Sequence, residues 1–423
     1  MKKLKLALLT SAAIAMSPAV QAQDLTIWAL QAFNQEADDL ITQLAREFGE
    51  ERGITVEYTV VPANVLDQRL AAAIQGNALP DVFMQVGQQI QYYANLGVTE
   101  PLDDILAEMR AVDGGIYEST VSAVMYNDEA HGIPLEVDVV PMFVRTDLLE
   151  SVGMGIPTTL EELRTASQAI LANDPSITAF GHPTSTANDA ESLTRMILWS
   201  YGAAMFNEDG TEVTWNSPET VAGYQYIADM FEEGTIPRST LTWDDAGNNT
   251  AYQTGRAAFI MNPPSVYQWL VDNDPDLLAD TALIPIPAGP GEKGRSATSI
   301  GAFSWMVYNQ SPRVDDAKDW LRYFFEETRY EQIIDTVGGR WLPIFPELFE
   351  SMPLFADNPD FELFGEMAAG GVVDGYAGPP TAWVSAVFNA KIVSQSIQRM
   401  LVDGASAEEA VAWATEEIEK LRV

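Results

Sequence analysis

Leu25-Thr26-Ile27-Trp28, Ile54-Thr55-Val56-Glu57-Tyr58-Thr59-Val60 and Leu79-Pro80-Asp81-Val82-Phe83-Met84 are three short runs of strand character, separated by two stretches of helical period. In the first separator Ala37, Leu40, Ile41, Leu44, Ala45 and Phe48 recur at the spacing of one helix face, Asn34 can cap its start, and Gly49 and Gly53 end it. In the second, Val65 to Gln75 is helical up to Gly76. Strand, helix, strand, helix, strand predicts a parallel α/β sheet, and such sheets place ligands at the carboxyl ends of their strands. The loops at 29–35 and 85–90 are therefore expected to face a site.

A second α/β unit is expected after the run Ile133 to Val144. Thr159-Leu160-Glu161-Glu162 and Ser406-Ala407-Glu408-Glu409 have the form of capping boxes, and Ser217-Pro218 and Ser311-Pro312 set a cap before a proline at the first helical position. Asn207 to Gly210 reads as a hairpin turn before a strand at 211–215, and Tyr252 to Phe259 reads as a helix leading into a strand at 258–261. No flexible linker divides the units, so structured crossovers are expected to join them.

The chain opens with Lys2, Lys3 and Lys5, an apolar run from Leu6 to Met16, and Val20-Gln21-Ala22. That pattern predicts a signal peptide over 1–22, cleaved near Ala22, and a periplasmic destination. The apolar run is too short to span a bilayer, and no cysteine is present to carry a lipid or a disulfide. The formal net charge of −38 argues against nucleic acid and anionic membrane as partners. The acids are spread along the chain, which favours a solvated acidic surface, with a cationic ligand as the competing reading. His131 and His182 have no partners at metal-ligand or triad spacing, so no metal, cofactor or catalytic residue is expected.

Five patterns in series carry a family resemblance: Leu79-Pro80-Asp81-Val82-Phe83; His131-Gly132-Ile133-Pro134 with Phe143 to Leu149; Tyr201 to Phe206; Tyr252 to Phe259; and Ala317 to Phe325. In these the chain resembles the family 1 extracellular solute-binding proteins, which include maltose- and trehalose-binding proteins. The resemblance implies a two-lobed α/β fold of the type II periplasmic binding class, with the ligand in the interlobe cleft and lobes that close about a hinge. It implies crossovers near 135–142, 299–305 and 338–345, one lobe from 23–135 plus 303–343, and another from 140–300 plus 346–423. It further implies a monomer that hands its solute to the membrane permease of an ABC importer without reacting with it.

Carried over position by position, the resemblance places Asn34 and Gln35 after the first strand and Gln88 after the third. Glu136 and Asp138 fall on the first crossover, and Gly301 and Phe303 on the second. Glu136 stands where sugar-binding relatives have an aromatic residue, and Phe345 stands where an arginine often follows the third crossover. Sugars have polar edges and apolar faces, so their sites combine carboxylates and amides with flat rings. That chemistry adds Trp243 and Asp244, in a loop before a helix, and Asn262, just past a strand. It also adds Trp341 and Trp383, each in a Gly/Pro-rich loop. Two other readings share these features: a secreted glycoside hydrolase using two carboxylates, and a chemosensory receptor subunit of the same fold.

Overall fold

The computed structural model describes residues 25–32 and 34–422, so the predicted signal peptide lies outside the described residues. Strand Leu25–Leu30 pairs in parallel with Val56–Val61 from Leu25 opposite Val56 to Leu30 opposite Val61, and with Val82–Val86 through Ile27 opposite Val82. The helix between the first two strands, Gln35–Arg52, buries Ala37, Ile41, Leu44, Ala45 and Phe48 on one face. Burial of that stripe against the sheet, rather than helix propensity, holds the unit together. Strand Phe303–Val307 returns from more than two hundred residues later, antiparallel to Val82–Val86, and Ile133–Pro134 closes the far edge.

A second sheet runs in the order Thr281–Ile284, Met142–Arg145, Ala257–Met261, Thr178–Phe180. Met142–Arg145 is antiparallel to both its neighbours, and Ala257–Met261 is parallel to Thr178–Phe180. Every residue of Ala257–Met261 is buried, as in a strand covered on both faces. Both predicted capping boxes are formed, at Thr159 with Glu162 and at Ser406 with Glu409. Three local expectations fail. Ser311 does not cap a helix at Pro312: the helix starts at Val314 with Arg313 at its N-cap, and Ser311 Oγ donates to Asp81 Oδ1 while accepting Arg313 N–H. Residues 211–215 make one isolated bridge, Phe206 to Val213, closed by Asn207 N–H to Glu212 O and Thr214 N–H to Met205 O, rather than a strand. The helix expected over 252–259 is Gly247–Gln253, and the chain is already a strand at Ala257, since Gly255 has φ 69° and cannot continue a helix.

Three segments link the sheets and bond to one another. Asp138–Val139 pairs antiparallel with Ile300–Gly301. Val137 N–H donates to Leu342 O at 2.9 Å, and Leu135 N–H donates to Phe303 O at 2.6 Å. The connection is thus a small ribbon whose segments are joined by backbone hydrogen bonds.

Candidate functional site

The ribbon carries two carboxylates inward. Glu136 is 0% exposed; its Oε1 accepts the Phe303 backbone N–H at 2.8 Å, while Oε2 has no hydrogen-bond partner. Asp138 lies opposite Gly301, and its Oδ1 is also buried without a partner. Gly301 keeps the space beside that carboxylate open: a Cβ there would stand 3.6 Å from Asp138 Cβ and 4.0 Å from Oδ2. Burial pushes Asp138 up to about 6, against the opposing pull of the Arg340 guanidinium. Glu136 is raised well above its ordinary value, first by burial and then by the Asp138 charge. Arg340 reaches the same place from the third crossover, with its guanidinium carbon 5.8 Å from the Phe303 ring centroid.

The second sheet's side contributes a polar shelf. Asn248 Nδ2 donates to Met261 O and to Asn262 Oδ1, both at 3.0 Å, and Asn262 N–H donates to Pro141 O in the ribbon. Asp189, in the first turn of helix Asn188–Ser200, bonds to Asn248 and has its N–H held by Asp245 Oδ1 at 2.9 Å. Burial raises Asp189 to about 8, helped by the charges of Asp245 and Asp138. Asp189 and Asp138 both keep some accessible surface.

Aromatic surface is supplied by Phe303 and Trp243, both half-buried. The Trp243 indole packs on Gly247, where a Cβ would come within 2.6 Å of the indole Cγ, so only glycine permits that ring position. Carboxylates, amides, one guanidinium and two partly open rings, collected where the hinge meets both sheets, suit a ligand rich in hydroxyl donors with an apolar face.

Residues 31–328 match the model of the bacterial extracellular solute-binding protein family. This chain belongs to that family. A lactose-binding protein of Rhizobium radiobacter is 24% identical over 79% of this chain and 78% of its own. A probable ABC transporter-binding protein of Deinococcus radiodurans is 26% identical over 84% of this chain and 85% of its own. Among solved structures, maltose-bound MalE3 of T. maritima superposes with TM-score 0.80 at 20% identity, covering 94% of this chain and all of that one. A solute-binding protein of Thermotoga lettingae bound with alpha-D-tagatose gives 0.82 at 19% identity, covering 94% and 99%. The two-lobed α/β fold and a role as a binding protein rather than an enzyme follow from family and fold together.

Not every residue singled out from the sequence of this solute-binding protein reaches the site. Asn34 is an N-cap: its Oδ1 accepts Ala37 N–H at 3.1 Å and its Nδ2 donates to Thr336 O. Gln35 is exposed on the helix surface and donates to Asp39. The side chain of Gln88 lies outside the described residues. Asp244 is exposed and accepts Ala246 N–H within its own loop. Asn262 has both donors committed, to Pro263 O and Ser265 Oγ, so it orients the shelf. Trp341 is 1% exposed within an apolar cluster, because Gly338 and Gly339, with φ 68° and 84°, turn the chain inward toward the Val137–Leu342 bridge. Neither Asp189 nor Asn248 stands in a patterned motif, so residue spacing gives no signal for them. The available signal was position, since Asp189 opens the first helix after the carboxyl end of strand Thr178–Phe180.

Trp383 lies in the first turn of helix Ala382–Asn389, not in a loop, and is 5% exposed. Its ring centroid is 4.7 Å from that of Phe206, and its Nε1 donates to Ile418 O at 2.7 Å. The ring is large enough to wedge two helices, and the Ile418 carbonyl in the last turn of helix Ala407–Lys420 supplies the partner its N–H needs. Trp383→Phe is expected to lower unfolding stability by about 1 kcal/mol through the lost hydrogen bond and to leave ligand affinity unchanged. Denaturant titration beside calorimetry checks it, and a loss of affinity with unchanged stability would return Trp383 to the cleft.

The raised carboxyls fix a pH dependence. Ordinary aspartate titrates near 3.9 in an unfolded chain, whereas Asp138 holds its proton to about 6 and Asp189 to about 8 in the fold. The folded state therefore binds more protons than the unfolded one across that window. The stabilisation is present at low pH and is lost as pH rises through 6 and then 8. The melting temperature of the unliganded protein should fall between pH 5 and 8.5, and the fall should be shallower in an Asp138→Asn, Asp189→Asn double variant. Parallel profiles for the two proteins would assign the slope to the acidic surface instead.

Proposed function

We propose that this solute-binding protein captures a neutral or cationic hydroxyl-rich solute, a sugar or short oligosaccharide, and delivers it to the permease of an ABC importer. The proposed site is Glu136, Asp138, Gly301, Phe303 and Arg340 on the hinge side, with Asp189, Asn248, Asn262 and Trp243 opposite. The proposed lobes are 23–135 plus 303–343 and 140–300 plus 346–423, closing on the ribbon between them. We further propose a periplasmic monomer released from residues 1–22.

The observation carrying this reading is the pair of buried oxygens, Glu136 Oε2 and Asp138 Oδ1, that have no partner within the protein and stand beside the half-open ring of Phe303. An unsatisfied buried acceptor costs about 1–3 kcal/mol, more if charged, so hydroxyl donors of an incoming ligand are matched to a deficit already present. Similar proteins are described as binding lactose and arabinooligosaccharide, and similar folds hold maltose, tagatose and laminaribiose. A further anionic group would meet the Asp138 charge and hold Glu136 and Asp189 still more firmly in their protonated forms, with Arg340 acting on all three in compensation.

Thermal-shift screening of sugars, polyols and sugar acids, followed by calorimetry on the hits, tests the proposal. The expected result is 1:1 binding of a neutral or aminated sugar that is recovered unchanged by chromatography. Tight binding of a uronate or sugar phosphate, with none by neutral sugars, would overturn it.

A further inference from the structure

Gln89 and Asn389 belong to segments that approach from opposite sides of the cleft. Gln89 ends the turn Gly87–Gln89 that follows strand Val82–Val86 of the first sheet. Asn389 ends helix Ala382–Asn389, whose Trp383, Val384 and Val387 belong to the core around the second sheet. The helix that follows Gln89, Ile90–Asn95, packs on that same helix. At the contact the two amides pair reciprocally: Gln89 Nε2 donates to Asn389 Oδ1, and Asn389 Nδ2 donates back to Gln89 Oε1 at 3.0 Å. Gln89 is only 4% exposed, so its amide relies on this partner rather than on water.

The surrounding groups support the contact from both sides. Gln85 Nε2 holds Asp67 Oδ1 at 2.7 Å on the first sheet's side. Opposite it, Lys391 takes a left-handed φ of 54°, places Nζ 3.8 Å from the Phe388 ring centroid and donates to Asn188 Oδ1. Asp67 is among the carboxylates whose charge acts on Lys391 from across the gap. A non-glycine residue in the left-handed region persists only where its surroundings require it.

We infer that Gln89 and Asn389 are positioning residues for ligand capture: their amide pair biases the two lobes toward the closed arrangement without contacting the ligand. A cyclic amide pair is neutral and directional, so it forms at one lobe separation and is broken by a small opening. A residue that stabilises only the closed state raises the fraction of binding-competent protein, and apparent affinity scales with that fraction. Two net hydrogen bonds correspond to a shift of roughly five- to tenfold in the closed-to-open ratio. The inference rests on the lobe closure proposed above.

The test needs no knowledge of the ligand. The chain has no cysteine, so Glu50→Cys and Asp403→Cys, both at exposed positions, can carry a spin-label pair across the lobes of the full-length mature protein. In unliganded protein, Gln89→Ala and Asn389→Ala are each expected to move the distance distribution toward the open state by roughly five- to tenfold in population. The double variant should go no further, because either loss breaks the whole pair. The exchanged variant Gln89→Asn with Asn389→Gln should recover closed protein. Melting temperature serves as the control for folding, and if Asn389→Ala folds poorly the Gln89→Ala comparison stands alone. Unchanged distributions, additive single effects, or a wild-type protein with no closed population before ligand is added would each overturn the inference. None of these touches the sugar-binding proposal, which calorimetry decides.

Discussion

Asp138→Asn should weaken sugar capture by about 2 kcal/mol, roughly thirtyfold, while the unliganded protein melts at the same temperature or higher. The loss has the size expected for a buried anchor at the centre of an interface. The carboxylate supplies two acceptors toward hydroxyl donors, one of them an oxygen left without a partner by the protein. An amide keeps one acceptor and turns the other position into a donor, which meets hydroxyls less well and loses the charge-assisted share of the bond. Stability moves the other way for the same reason: burial opposes ionisation of Asp138 and raises it to about 6, so removing the charge relieves a cost in the unliganded fold. Sites built for ligands commonly carry such a local cost. Calorimetry gives the affinity and differential scanning gives the melting temperature. An Asp138→Asn protein that binds like wild type removes Asp138 from the site, whatever its stability.

Glu191→Ala is expected to cost about 3–5 kcal/mol of unfolding stability, a large part of what a typical domain has. Glu191 and Arg195 pair at 2.7 Å one turn apart on helix Asn188–Ser200, and Arg195 is 1% exposed. Glu191 also accepts Ser394 N–H at 2.8 Å and Ser394 Oγ at 2.9 Å. It thereby ties the start of helix Ile392–Leu401 to the helix that carries Asp189. Truncation leaves a buried guanidinium with the longer 3.4 Å contact to Asp374 and strips the Ser394 N–H and Oγ of this acceptor. Urea titration should show the midpoint falling with little change in slope. Glu191→Gln, which keeps acceptor capacity, should fall less. Equal losses in the two variants would mean that packing, not the ion pair, carries the effect.

The first βαβαβ unit was legible because its information is local: each helix stripe repeats within about eighteen residues, and the second and third strands are bounded by glycine and proline. Capping boxes at Thr159 and Ser406 were legible for the same reason, since cap and partner are three residues apart. The hinge carboxylates Glu136 and Asp138 and the ring of Phe303 could be named from resemblance. A Gly/Pro-rich neighbourhood says little about a tryptophan, neither whether the ring itself lies in a loop, as Trp383 in helix Ala382–Asn389 does not, nor which way it faces. Trp341 and Trp383 both turned inward, where apolar area and, for Trp383, the Ile418 carbonyl were available.

Sequence by itself determined the α/β class, the order of most elements, the acidic balance and the family to which the chain belongs, all properties of residue spacing and composition. Tertiary structure alone decided which polar groups share a cleft. Asp138, Asp189, Asn248, Asn262 and Arg340 come from five separated segments, and Gln89 meets Asn389 across three hundred residues. Spacing along the chain carries no signal for such meetings. They arise because two sheets, each satisfying its own backbone, are brought face to face by the ribbon that crosses between them, and the raised pKa values of Asp138 and Asp189 appear only once that approach has removed water.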